Sequence, residues 1–587
     1  MAKDSVEEQS KAEQAQSHIE AIPVANAGLP GDAEGNLPEP LPVTEASPEI
    51  AQAAEIGEAA PPSERRHIVK SASLVMLGNL GSSVMGMVRQ VVVTALGPAI
   101  AGPFNSAILP ARTFNDFLIN GSISGALIPT FNDYAAPEKR DELRRVVFSI
   151  VNFVLIIMVV ASILYALLAP NFVAFLVQGY KPDEQKLALQ YSQIIFFSLI
   201  ALGPFAVLLS ALFALKEFGW PAFATASYHI GIILGAIVGS LLGERYYGHL
   251  GLAFGVIVGA FGEIALLLPG MRNQHLRYMF VLDLKHPALR RIVKLYAPVS
   301  FSFLVTMGLV FLDQHLASLT RPNGAANYVA MTAATTLIQF PVGLVAAALS
   351  FAVLPTLSEH ARAGDLERFK GTLLLGFRLG LLLMIPAAAG LIVLREPIVL
   401  LIFKHHKENA ADAALIAVAL QNYAYQLPFV AIDQLLIAAF YARKNTIIPV
   451  TVYVVSILGY LVVALPFWQT IGMPALAFAN TVQNSLHAII LLVLLRFAIG
   501  SIHIRQTLPT VLKILLAAAA LVAVAWGLQT LFSHIALFSL QTLLGELLTV
   551  LLAGGLATAA YLGCILLLKV EEVSLLKGAI LAKLGRK

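Results

Sequence analysis

The sequence is poor in most of what a soluble enzyme needs. A single cysteine, Cys564, stands among 587 residues, which excludes an internal disulfide framework and any cysteine-built metal cluster. Charged side chains make up 13% against 58% hydrophobic, too little polar surface to cover a soluble particle of this size. There is no phosphate-cradling glycine loop, no HExxH helix, no nucleophile elbow and no metal-ligand cluster; the adjacent His405 and His406 are a weak signal on their own. The expectation is a protein that is not an enzyme, holds no cofactor and has no nucleic-acid partner.

Apolar runs are also missing from the first 64 residues, which carry two lysines (Lys3, Lys11) against thirteen acids. Such a segment cannot bury enough surface to offset its chain entropy, so residues 1–66 are expected to be a disordered acidic tail with a solubilising role. It lacks the charged start, apolar core and small-residue exit of a cleavable signal peptide, leaving insertion to the first span. Subtracting the tail's net −11 from the chain's +4 leaves +15 for the rest.

What the remainder has is length and apolarity, with a mean hydropathy of +0.78 for the whole chain. Runs of membrane-spanning size lie near 68–97, 104–134, 146–169, 186–215, 220–243, 248–271, 292–318, 326–356, 371–394, 410–441, 446–468, 473–499, 507–532 and 542–568. The fold class expected is an all-α polytopic membrane protein with about 14 helices. Lys and Arg gather in alternate loops, at Arg65–Lys70, Lys139–Arg145, Arg272–Lys294, Arg362–Lys370, Arg443–Lys444 and the C-terminal tail 570–587. The positive-inside rule then puts both termini in the cytoplasm.

The chain repeats itself. "SGALIPTFNDYAAPEKRDELRR" is echoed by "SFAVLPTLSEHARAGDLERFKG", "LLSALFALKEFGWP" by "LLIAAFYARKNTIIP", and "GLAFG" by "ALAFA", in the same order and roughly 225 residues apart. Two six-helix halves, 67–271 and 290–499, related by a pseudo-twofold axis along the membrane normal, are expected, with two extra helices at 506–569. Such pairs work by rocking around a site between them.

Few ionisable groups fall inside the runs: Arg89, Arg112, Arg378 and Lys513 among the bases, Asp116, Glu263, Asp313, Asp433 and Glu546 among the acids. An ionised group facing lipid costs several kcal/mol, so these must face protein or water. Arg112, Asn115, Asp116 and Asn120 share one broad face of the second span, since offsets of three, four and eight residues are close to whole turns. Asn79, Ser82, Ser83, Gly86 and Arg89 line the first span, Ser302, Thr306 and Asp313 the seventh, and Thr332, Thr335, Thr336, Gln339 and Gly343 the eighth. The first two helices of each half thus each carry a polar stripe, as the lining of a hydrated chamber would. A plainer reading has Arg112 and Asp116 neutralising each other at i, i+4, and Glu263, Asp433, Arg378 and Glu546 serving as interhelical partners. Pro110, Pro129, Pro341 and Pro355 are expected to break or end helices at matching places.

"GNLGSSVMGMVRQVVVTALG", "NGSISGALIPTFNDY", "FLDQHLASL" and "TTLIQFPVGLVAAALSFAVLPTLSEHA" resemble the MurJ/MviN lipid II flippases of the multidrug/oligosaccharidyl-lipid/polysaccharide exporter superfamily. The resemblance runs from about 68 to 569 and implies a V-shaped cavity, open alternately to either side, that moves a polyprenyl-pyrophosphate-linked peptidoglycan precursor across the bacterial cytoplasmic membrane. It implies pyrophosphate contacts at Arg89, an acid at Asp313, a polar residue at Gln339 and a lipid-tail groove along the last two helices. The sequence departs from the family at Thr336 and Ser83, where members carry arginines, and at Asn115 and Asp116, where an arginine pair is usual. Arginine's bidentate grip on phosphate has no equivalent in threonine, so the chamber is less cationic than in the family.

The candidate substrate-binding residues are accordingly Arg89, Arg112, Asn115, Asp116, Asp313, Thr336 and Gln339. The expected partners are a lipid-linked cell-wall precursor, membrane lipids and envelope-synthesis enzymes, with a coupling ion or the membrane potential as driving force. Two other readings stay open: export of another lipid-linked oligosaccharide or a small cation, and a non-transporting scaffold acting through the acidic tail.

Overall fold

Helices dominate because apolar runs must satisfy their own backbone groups inside lipid. The computed structural model describes residues 78, 80–117, 126–243, 248–404, 410–502, 504–570 and 572, and among them there is no strand. The expected acidic tail 1–66, Asn79, Asn120, His405 and His406, and residues 573–587 lie outside the described residues.

In chain order the helices are α1 (80–94), α2 (Pro98–Asp116), α3 (Ile128–Asn132), α4 (Arg140–Leu176), α5 (Pro182–Ile195), α6 (Leu199–Ala214), α7 (Pro221–Leu242) and α8 (Gly251–Asn273). A second series follows: α9 (Pro287–Leu319), α10 (Gly324–Pro341), α11 (Ala347–Arg362), α12 (Leu366–Val393), α13 (Arg395–Phe403), α14 (Ala410–Ala424), α15 (Leu427–Ala442), α16 (Ile447–Phe467) and α17 (Met473–Ile499). The chain closes with α18 (Leu508–Phe532) and α19 (Leu543–Leu567). Many open on a proline at the first helical turn, where the absent N–H would have no intrahelical acceptor.

Nine helices among the described residues are long and apolar enough to cross a membrane, ten if the bent pair Ala411–Ala424 and Leu427–Ala442 counts as one. The first, second, seventh and eighth expected spans, which carry the polar stripes, also contain residues or side chains outside the described ones, and their described parts alone do not pass that test.

Prolines interrupt these helices less than their number suggests. α2 runs through Pro103 and Pro110, and α11 through Pro355. Pro341 does end α10, with a π turn at Val342–Ala346 directly after it, and Pro129 stands in the first turn of α3; further π turns lie at Phe117 and at Ala126–Leu127 in the second span. Neighbouring helices in a membrane bundle can re-satisfy the carbonyl a proline frees, whereas a π turn widens the helix and marks a change of facing.

Each half is packed on its own core. In the first, α7 and α8 approach so closely that a Cβ at Gly259 would lie 2.7 Å from the Tyr228 carbonyl oxygen, a contact only glycine allows. The link between halves is stapled to α4: Asn152 Nδ2 donates to the carbonyls of Met279 and Val281 at 3.3 and 2.9 Å, and Arg145 pairs with Asp283 at 3.0 Å. Arg291 meets Asp133 at 2.6 Å at the same basic end of the bundle. The two last helices dock on α12 through Tyr561, whose hydroxyl donates to the Leu382 carbonyl at 2.6 Å, and through Arg378, which pairs with the buried Glu572 at 3.2 Å.

Candidate functional site

The halves meet where α2 and α10 begin, away from the basic loops. A Cβ at Gly102 would lie 2.7 Å from the Ala325 side chain, so glycine is what lets the two helices touch there. One turn further, Asn105 Nδ2 donates to Thr332 Oγ1 at 3.0 Å. Beside it, Gln314 Nε2 of α9 donates to Ser106 Oγ at 2.8 Å, and Ser106 shares a 2.9 Å bond with the Tyr180 hydroxyl. Asn105, Ser106 and Gln314 are buried. This belt seals the two halves with neutral hydrogen bonds.

About two turns beyond that contact the same faces open. Arg112 on α2 and Gln339 on α10 are both exposed, and around Gly308 and Gly343 nothing lies within 4 Å of where a Cβ would stand. Thr336, half-buried, sits between the seal and Gln339, its hydroxyl donating to the Thr332 carbonyl at 2.8 Å. Past the seal, α2 and α10 thus change from a bonded contact to exposed polar groups, a guanidinium on one helix and an amide on the other.

Arg89 on α1 is buried, at 8% exposure, while Ser83, one and a half turns earlier, is exposed. Arg89 and Arg112 come from different helices yet both act electrostatically on one imidazole, His229 of α7. Arg112 is also within electrostatic reach of Tyr328 of α10, in the other half. The structure thus brings Arg89 and Arg112 to the neighbourhood of His229. Asn115 is half-buried, and its Oδ1 makes no hydrogen bond among the described residues. The Asp116 side chain and Asn120 lie outside the described residues, and with them the suggested Arg112–Asp116 pair.

Asp313 is held differently. Its carboxylate accepts a short hydrogen bond from the hydroxyl of Tyr460 on α16, and it is within electrostatic reach of Tyr328 and Tyr423. All three rings belong to the core of the C-terminal half. His315, two residues on, stacks on Phe175 and bonds the Phe175 carbonyl at 2.6 Å, an interfacial role. Neither the tyrosines nor His229 stood out in the sequence, since aromatic residues in apolar helices read as packing. The usable signal was that a buried hydroxyl or imidazole needs a partner.

The other intramembrane charges are mostly interhelical. Asp433 faces His487 Nδ1 at 2.7 Å, Glu546 takes Lys404 at 3.2 Å, and Arg378 takes Glu572. Glu263 departs from the expectation: it is 3% exposed and has no ion-pair partner among the described residues.

Residues 92–545 match the model of a family described as "Lipid II flippase MurJ". A probable lipid II flippase MurJ of Bdellovibrio bacteriovorus is 27% identical over 525 residues, covering 87% of this chain and 97% of that one. One of Vibrio cholerae is 27% identical over 521 residues, covering 86% and 97%. Among solved structures, one titled "Lipid II flippase MurJ, inward closed conformation" aligns with a TM-score of 0.67 at 21% identity, covering 84% of this chain and 97% of that one. An inward-facing multidrug resistance MATE family transporter aligns at 0.58 and 15% identity, covering 72% and 95%. Those two likenesses establish a shared fold.

Proposed function

Because the chain belongs to the lipid II flippase MurJ family, we propose that it moves lipid II across the bacterial cytoplasmic membrane by alternating access, without covalent chemistry. The observation that carries this reading is the change along α2 and α10, which are bonded at Asn105 and Thr332 and exposed two turns later at Arg112 and Gln339. A belt of neutral hydrogen bonds can part without stranding a charge, which suits a seal that must open each cycle.

In this reading the basic loops and both termini are cytoplasmic, residues 67–271 and 290–499 are the rocking halves, and the cleft faces the cytoplasm in the state described. Arg89 and Arg112 take the pyrophosphate, because a guanidinium offers paired donors to phosphate oxygens. Asn115, Asp116, Thr336 and Gln339 are polar contacts further along the walls. Asp313, held by tyrosines, sets the conformation of the C-terminal half instead of gripping the headgroup.

The test is complementation joined to reconstitution. Arg89→Ala and Arg112→Ala, expressed at wild-type level, should each fail to rescue a cell depleted of its own flippase. Purified protein in vesicles should flip labelled lipid II and lose that activity with either substitution. Full rescue by both variants rejects the assigned roles, and transport of other lipid-linked glycans in place of lipid II rejects the cargo. Since Thr336 and Ser83 replace family arginines, that second arm matters here.

A further inference from the structure

The N-terminal half holds two arginines where family resemblance leads one to expect more, and a third nitrogen base, His229, stands within electrostatic reach of both. α1 and α7 are in intimate contact: a Cβ at Gly78 would collide with the Ala222 carbonyl. Two turns along, a Cβ at Gly86 would lie 3.4 Å from His229 Nε2 and 3.5 Å from its Cε1. The imidazole therefore rests on the α1 surface, roughly one turn from Ser83 on one side and from Arg89 on the other.

Its surroundings are not those of a satisfied structural histidine. The ring is half-buried, Tyr228 meets it edge-on at 5.8 Å, and Nδ1 is buried with no hydrogen bond among the described residues. A histidine kept for packing normally gives at least one ring nitrogen a protein partner, as His487 does with Asp433 and the Pro449 carbonyl. Arg89 and Arg112, both cationic, are within electrostatic reach of His229. Three nitrogen bases from three helices thus lie close together, a set of donors that suits a multiply charged anion.

We propose that His229 is a headgroup-binding residue, which with Arg89 and Arg112 forms a three-helix site for the diphosphate of a lipid-linked substrate. The assignment rests on the flippase reading and adds a residue to it. A ring N–H donates to a non-bridging phosphate oxygen while the guanidiniums take the others, and the exposed Ser83 hydroxyl lies one turn away. The histidine thus does, from α7, part of what an arginine at position 83 would do from α1.

The experiment measures binding of undecaprenyl diphosphate and of uncharged undecaprenol to full-length protein in nanodiscs, for wild type, His229→Ala, His229→Gln and Arg89→Ala. Loss of one donor to a charged group should lower diphosphate-lipid affinity about tenfold in His229→Ala. Polyprenol binding should stay unchanged, and His229→Gln, which keeps a donor, should recover most of the loss. A structural role would lower both affinities together, and that result overturns the proposal. If His229→Ala binds the diphosphate lipid like wild type while Arg89→Ala does not, this inference fails and the flippase reading stands. If neither substitution matters, the reading beneath it fails as well. Should His229→Ala not fold, the comparison of His229→Gln with His229→Leu decides the same question.

Discussion

The inner helices of the two halves look alike in sequence and are furnished in opposite ways. α1 and α2 carry Arg89 and Arg112, with His229 of α7 behind them, and leave Arg112 exposed. α9 and α10 carry Asp313, Thr336 and Gln339, and Asp313 is bonded to Tyr460 in a cluster of aromatic hydroxyls. In the proposed reading one half offers its cations to the substrate, while the other ties its acid to Tyr460. A pseudo-symmetric scaffold therefore need not imply a symmetric site. Had Asp313 faced Arg112 directly, each would have neutralised the other and left nothing for an anion.

The sharpest way to break this contrast is to stop the walls from parting. With Cys564→Ser as background, Asn105→Cys and Thr332→Cys joined by a short cleavable thiol cross-linker should abolish flipping completely, with recovery on cleavage. Transport that survives full cross-linking would mean that the halves do not separate at this belt. A smaller effect is expected from charge. Arg112→Ala should lower affinity for the diphosphate lipid by about 10- to 100-fold, the worth of roughly 1.5–3 kcal/mol of charge-assisted hydrogen bonding. Asp313→Asn should change it by no more than about twofold, since its carboxylate is already spoken for by Tyr460. Equal losses in the two variants would erase the distinction between the walls.

Much of this was legible before any coordinates. Hydropathy located the helices, and helical periodicity picked out the polar stripes on α1, α2, α9 and α10. The stripes were readable because helical periodicity is local. What stayed hidden was long-range: Tyr460 lies 147 positions from Asp313 and Thr332 lies 227 from Asn105. A single sequence gives no signal for which polar residue meets which across such distances. His229 was missed for a related reason, since its meaning comes from two arginines on other helices. The prolines misled in a more instructive way. Pro110 and Pro355 are strong breakers in water, but within a bundle the helix continues through them, and the irregular turns fall at Phe117 and Val342–Ala346.

The C-terminal wall can be probed through stability. Tyr460→Phe removes the hydroxyl from Asp313 and leaves a buried acceptor unmet, at a cost of about 1–3 kcal/mol read as a lower melting temperature in detergent. The double variant Tyr460→Phe with Asp313→Leu should recover part of that loss, because an apolar pair strands nothing. A double variant that simply adds the two single losses would show that the bond does not carry the effect.

The smallest effects test the cleft itself, through three glycines that look interchangeable in sequence. Gly102 touches Ala325 across the seal, so Gly102→Ala must force the halves apart or strain them, at about 1–3 kcal/mol. Gly81 on α1 and Gly308 on α9 have nothing within 4 Å of a would-be Cβ. Alanine at either should raise stability by about 0.5–1 kcal/mol through helix propensity and leave transport unchanged. The sign change between positions is the informative part. A Gly102→Ala variant as stable as wild type would mean that the seal is looser than the Asn105–Thr332 bond implies. A destabilised Gly81→Ala or Gly308→Ala would mean that protein occupies the space beside α1 or α9.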